Sequence, residues 1–170
     1  MVGIETPGEC LQTPMRAEDL EILRDNMLAV IAAFASALRN TIGKSALDER
    51  VVMAMGKVPR HEFVPIELQP YAYANIPLPI GFEKTISQPF IVALMTDLLD
   101  IKADENVLEI GTGVGYQAAI LAQLARKVYS VEIIEELGQK GETTTPTAGL
   151  QQCRTQDCQW LSRLVRARPF

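Results

Sequence analysis

Glu109-Ile110-Gly111-Thr112-Gly113-Val114-Gly115 places three glycines at alternate positions between a short apolar run, Asn106 to Ile110 (NVLEI), and an alanine-rich stretch, Tyr116 to Ala125. The first has the length and composition of a strand, and the second has high helix propensity. The glycines therefore mark a strand-to-helix turn, where the lack of a Cβ lets a ligand approach the backbone. A second strand follows at Lys127 to Ile133 (KVYSVEI). Strand, glycine turn, helix, strand is the opening of a parallel sheet with crossover helices, so the fold class is α/β.

The turn is of nucleoside type, yet it departs from a dinucleotide fingerprint. That fingerprint needs G-x-G-x-x-G, and position 116 is Tyr116, so the pattern here is G-x-G-x-G. Glu132 lies 21 positions after Gly111, at the end of the second strand, where a carboxylate can accept hydrogen bonds from both ribose hydroxyls. Three glycines could also shape a tight turn with no ligand and Glu132 could be a solvated strand end; their combined spacing favours the nucleoside site.

Outward from this unit, Leu20, Leu23, Met27, Leu28, Ile31, Phe34, Ala35 and Leu38 recur at helical spacing and predict a first helix over 18–40. Asp48 is placed to start a second helix through Val51, Val52 and Met55, with Gly56 and Pro59 as its stop. Six prolines from Pro59 to Pro89 exclude regular helix over most of that span and predict a long loop of the kind that holds function. Pro89 then suits the first turn of a helix carrying Ile91, Leu94, Met95, Leu98 and Leu99.

The 170 residues fit one domain, and 48% hydrophobic with 22% charged residues is a globular composition. A net charge of −5 leaves no basic footprint, so nucleic acid is not an expected partner. The longest apolar stretch, Met27 to Leu38, falls short of the roughly 20 residues a membrane span needs. With no signal-peptide pattern at the N-terminus, the expected location is the cytoplasm. Cys10, Cys153 and Cys158 match no zinc or redox spacing and are expected to be free thiols; no metal is expected.

E-x-G-x-G-x-G followed by an acidic residue at the second strand end resembles the first motifs of class I methyltransferases, which implies a Rossmann-like fold and S-adenosylmethionine as methyl donor. VPRHEFVP at 58–65, AYANIPLPIG at 72–81, TISQP at 85–89 and VLEIGTGVGYQAA at 107–119 narrow the resemblance, over about residues 20–139, to the protein-L-isoaspartate O-methyltransferases. That resemblance implies methyl transfer to the α-carboxylate of isoaspartyl residues in proteins and peptides, with the ester later collapsing to a succinimide. It implies cofactor binding by Glu109, Gly111, Thr112, Gly113, Gly115 and Glu132. Ser87 would orient the carboxylate as the catalytic residue, with Thr85 and Gln88 completing the substrate loop. The carboxylate is already ionised at neutral pH, so no general base is needed. Ser87 also suits the cap of the helix at Pro89. His61 is given no role, and Tyr71 and Tyr73 are read as loop packing rather than a cofactor cover.

After about Lys140 the resemblance ends. The expected organisation is a flexible 1–17, the N-terminal half of the methyltransferase domain at 18–140 with an unfinished sheet, and an aberrant, poorly ordered 141–170. Thr144 to Phe170 admits codons whose next frame reads RLQQLGYNNVELKIANGYHGWSEHAP, similar to the family's continuation, so a frameshift is the expected origin of this tail. Resequencing the coding DNA tests it. The short form could then lack activity, and it would have exposed strand edges and low solubility. Competing readings are another class I methyltransferase, a non-catalytic fragment pairing with a partner through its open sheet edge, and, more distantly, a nicotinamide oxidoreductase.

Overall fold

The computed structural model describes residues 15–144. The expectations for residues 1–14, the three cysteines and the tail beyond 144 lie outside the described residues.

The chain opens with α1 (Ala17–Ala37) and the single turn α2 (Arg39–Ile42), which divide the one helix expected over 18–40. Gly43, in a left-handed conformation, ends α2. Next comes α3 (Glu49–Lys57), whose N-cap is Asp48: its carboxylate accepts from the Arg50 N–H at 2.8 Å, as its position predicts. Gly56 does not stop α3; the helix runs one residue past it, and Pro59 follows.

The proline-rich span is more ordered than a loop. It holds two 3₁₀ turns, Arg60–Phe63 and Ile66–Tyr71, and an antiparallel hairpin of β1 (Leu78–Gly81) and β2 (Lys84–Ile86). Prolines exclude α-helix but tolerate both. The hairpin turns at Phe82 and Glu83, with φ of 53° and 56°. Positive φ at both central residues is what a tight hairpin turn requires, and Asn-Gly normally supplies it; the bulkier pair here carries strain of roughly 1–2 kcal/mol per residue.

Pro89 is the first residue of α4 (Pro89–Leu98). Ser87 does not cap this helix. Gln88 occupies the N-cap without a side-chain bond, and the Phe90 N–H donates instead to Oδ1 of Asn75 at 2.9 Å. The cap is thus delivered from a distant loop. Asn75→Ala is expected to lower stability by about 1 kcal/mol, read as a lower urea midpoint at unchanged slope.

The glycine turn lies between β3 (Asn106–Ile110) and α5 (Tyr116–Leu121), and β4 (Lys127–Val131) pairs parallel to β3 in register Asn106↔Lys127 through Ile110↔Val131. β3 has the bounds its sequence suggests, while α5 and β4 end earlier than read. α6 (Glu135–Thr144), with Glu135 and Glu136 in its first turn, was not foreseen. Among the described residues the sheet has two strands. This is the α/β start of a Rossmann-like sheet behind an N-terminal helical segment.

Met27, Ile31 and Ala35 of α1 pack with Val51, Ala54 and Met55 of α3 and with Phe90, Val92 and Ala93 of α4. Phe34 meets Phe90 with ring centroids 5.3 Å apart. Ala119 and Ile120 of α5 join the same core, so the turn ahead of α5 rests on the helical layer. Among the described residues no helix is long and apolar enough to cross a membrane.

Candidate active site

A cleft of about 610 Å³ opens between the segment after β2 and the glycine turn. Thr85, Ser87, Glu109, Gly111, Thr112 and Gly113 line it, so six of the nine residues singled out from sequence share one space. Gln88, Gly115 and Glu132 lie outside that lining: Gln88 is the N-cap of α4, and Gly115 that of α5. Both roles follow from the chain entering a helix at those positions.

Gly111 and Gly113 have φ of +96° and +56°. A Cβ added at Gly111 would meet nothing within 4 Å, so this backbone borders open space on the cleft. At Gly113 it would approach Ile80 Cδ1 at 3.5 Å. Gly111 thus fits a cradle in which a ligand, rather than a side chain, contacts the main chain, while Gly113 packs beside Ile80.

Glu132 closes the turn. Its Oε2 accepts from the Gly113 N–H at 2.7 Å, and its Oε1 from the N–H groups of Ile133 and Ile134 at 2.8 and 2.9 Å. Partial burial would raise its pKa, but these backbone donors outweigh it and hold the carboxyl below its usual range.

Glu109 has the opposite electrostatics. Burial, together with the nearby Glu132 charge, pushes its pKa up to about 7 against the lowering effect of the Ser130 hydroxyl. Ser130, opposite Glu109 in the β3–β4 register, makes a short bond to Oε2, and its Oγ lies 2.6 Å from Thr112 Oγ1. Glu109 therefore steadies Thr112 through Ser130 as well as facing the cleft. A carboxyl raised from 4.5 to about 7 contributes stability that is fully present below pH 4.5 and lost as the pH rises through about 7, a change of about 3 kcal/mol. Urea unfolding at about pH 5 and about pH 8 is expected to show this loss in the wild type, and its absence in Glu109→Gln.

The cleft is open at β2 and the residue after it: Thr85 and Ser87 are exposed, and the Ser87 hydroxyl has no hydrogen-bond partner among the described residues. Apolar side chains of α4 and β3, including Met95, Leu98 and Leu108, also line the cleft, as does Gln117 of α5. The lining from α4 was missed because its spacing reads as core. His61 is half-buried: its Nδ1 lies 2.9 Å from the Tyr73 hydroxyl, and burial lowers its pKa. Tyr73 is buried against it, which agrees with packing, while Tyr71 is exposed. No group of three or more His, Cys, Asp and Glu among the described residues is placed to hold a metal ion.

The sequence model of the protein-L-isoaspartate(D-aspartate) O-methyltransferases matches residues 35–158. The chain belongs to this family. The match begins later than the resemblance read from the motifs and continues past residue 139, where that reading ends. Similar relatives include protein-L-isoaspartate O-methyltransferase 1 of Polaromonas sp. strain JS666, 61% identical over 123 residues, covering 72% of this chain and 52% of the relative. Another is protein-L-isoaspartate O-methyltransferase 2 of Nitrosococcus oceani, 54% identical, covering 76% and 59%. The chain thus spans about half the length of the curated relatives it matches.

Solved structures agree on the fold. A protein-L-isoaspartate O-methyltransferase aligns with TM-score 0.60 at 24% identity, over 75% of this chain and 39% of that one. A Plasmodium falciparum β-aspartate methyltransferase in complex with S-adenosyl-L-homocysteine aligns with TM-score 0.55 at 20% identity, over 75% and 55%.

Proposed function

We propose that this chain carries the methyl-donor turn and the acceptor loop of a protein-L-isoaspartate O-methyltransferase. The reaction moves a methyl group from the sulfonium of S-adenosylmethionine to the free α-carboxylate of an isoaspartyl residue. One S–C bond breaks, one O–C bond forms, and S-adenosylhomocysteine leaves. The observation that carries this reading is the single cleft onto which Thr85 and Ser87 face together with Gly111, Thr112 and Gly113.

The bound donor supplies an electrophilic methyl carbon. The chain's own residues supply alignment and an apolar lining. The carboxylate is ionised at neutral pH, so the barrier falls mainly through orientation and loss of water. The Ser87 hydroxyl donates to the carboxylate and fixes its direction, with Thr85 and Gln88 shaping the loop. The open backbone at Gly111 admits the donor, and Glu109 acts on the turn through Ser130 and Thr112.

Glu132 takes the ribose. A carboxylate offers about four acceptor sites, and three already receive backbone N–H groups. Holding both hydroxyls therefore requires Glu132 to give up one backbone bond, with that to Gly113 the nearest to the turn. The partners are isoaspartyl proteins and peptides, and the location proposed from the sequence is the cytoplasm.

The test is transfer of labelled methyl from S-adenosylmethionine to an isoaspartyl peptide, with the aspartyl peptide as control. Isoaspartyl-selective labelling is expected. Equal labelling of both peptides overturns the substrate assignment, and failure to bind S-adenosylhomocysteine overturns the donor assignment.

A further inference from the structure

Arg60 is 0% exposed, yet no carboxylate pairs with it among the described residues. Its Nε donates to the Ala72 carbonyl and its Nη2 to the Ser87 carbonyl, each at 2.7 Å. Nη1 has no hydrogen-bond partner among the described residues. The guanidinium lies over the Tyr116 ring, 4.7 Å from its centroid, and Tyr116 directly follows Gly115. Burial lowers the Arg60 pKa and pushes that of Tyr116 up to about 12.

A buried guanidinium without a counter-charge is expensive, and an apolar residue of similar size would fill the space at less cost. What an apolar residue lacks is the rigid planar fork that holds two carbonyls and stacks on a ring at once. Here the fork joins the acceptor segment at Ser87 to the first residue of the helix that carries the glycine turn. We infer that Arg60 is a positioning residue that sets the separation between the acceptor loop and the donor turn. Its catalytic consequence rests on the function proposed above; its geometric content does not.

The experiment compares Arg60→Lys, which keeps the charge but loses the fork, with Phe63→Leu. Phe63 meets the Tyr116 ring edge-on at 5.3 Å, so its truncation loosens the same cluster while leaving both carbonyl bonds. Amide hydrogen exchange on the whole chain is the first readout. Exchange at Ile86, paired with Leu78 in the hairpin, and at Phe90, whose N–H is held by Asn75, is expected to rise about tenfold in Arg60→Lys while α3 stays within about twofold of wild type; Phe63→Leu should show the reverse pattern. Uniform loosening in both variants, or an unchanged acceptor segment in Arg60→Lys, overturns the inference.

The second readout is transfer itself: kcat for the isoaspartyl peptide is expected to fall about tenfold in Arg60→Lys at unchanged KM for S-adenosylmethionine. Equal kcat in Arg60→Lys and wild type overturns the positioning role while leaving the proposed function standing. Failure of the wild type to bind S-adenosylhomocysteine overturns that function, and the exchange pattern still decides the geometry.

Discussion

Isoaspartyl methyl transfer is expected to fall about 100-fold in Ser87→Ala, at an unchanged KM for S-adenosylmethionine. The size of the effect follows from what the reaction needs. An ionised carboxylate requires no base, so the serine is expected to act by aim, and a misplacement of about 1 Å is enough to lose that factor. The hydroxyl is exposed and without a partner among the described residues, while the helix cap comes from Asn75; removing it should change stability by less than about 0.5 kcal/mol. Labelled-methyl transfer to isoaspartyl and aspartyl peptides, beside a thermal melt, measures both. Rates equal to wild type would remove Ser87 from the site, and a matching loss of melting temperature would make its role structural.

Gly113→Val is expected to abolish donor binding and to destabilise the fold. At φ +56° a β-branched residue is strained by about 1–3 kcal/mol, and its Cβ would start 3.5 Å from Ile80 Cδ1 with two further carbons to place. The same backbone donates to Glu132, so a shift that relieved the clash would pull on the residue proposed to hold the ribose. Titration with S-adenosylhomocysteine, followed by calorimetry, is expected to show no binding to the valine variant at a temperature where it remains folded. Gly113→Ala, with only one added carbon, should bind more weakly than wild type but measurably. Wild-type affinity in the valine variant would place the donor elsewhere.

The glycine turn and β3 were legible because their signals are local. An apolar run ending in alternate glycines specifies its own geometry, and Asp48 likewise announces α3. The hairpin was not, since β1 contains Pro79, β2 has three residues, and Phe82-Glu83 gives none of the usual turn signals. Ser87 looked like a cap because serine before a helix often is one, but Asn75 arrives through the fold from 15 positions away. Arg60 reads as a polar loop residue; its burial depends on Ala72, Ser87 and Tyr116 converging, which no short window contains. Six predicted site residues line one cleft because two sequence-distant loops meet there, and Glu132 is turned toward Gly113 by bonds invisible in its spacing.

The hairpin turn at Phe82 and Glu83 bears on how such a chain can be adapted to heat. Asn-Gly at these positions would relieve the left-handed strain and stiffen the strand that delivers Thr85 and Ser87 to the cleft. Thermal tolerance can therefore be sought at two side chains outside the cleft lining, and a lineage or an engineer would find it at this turn.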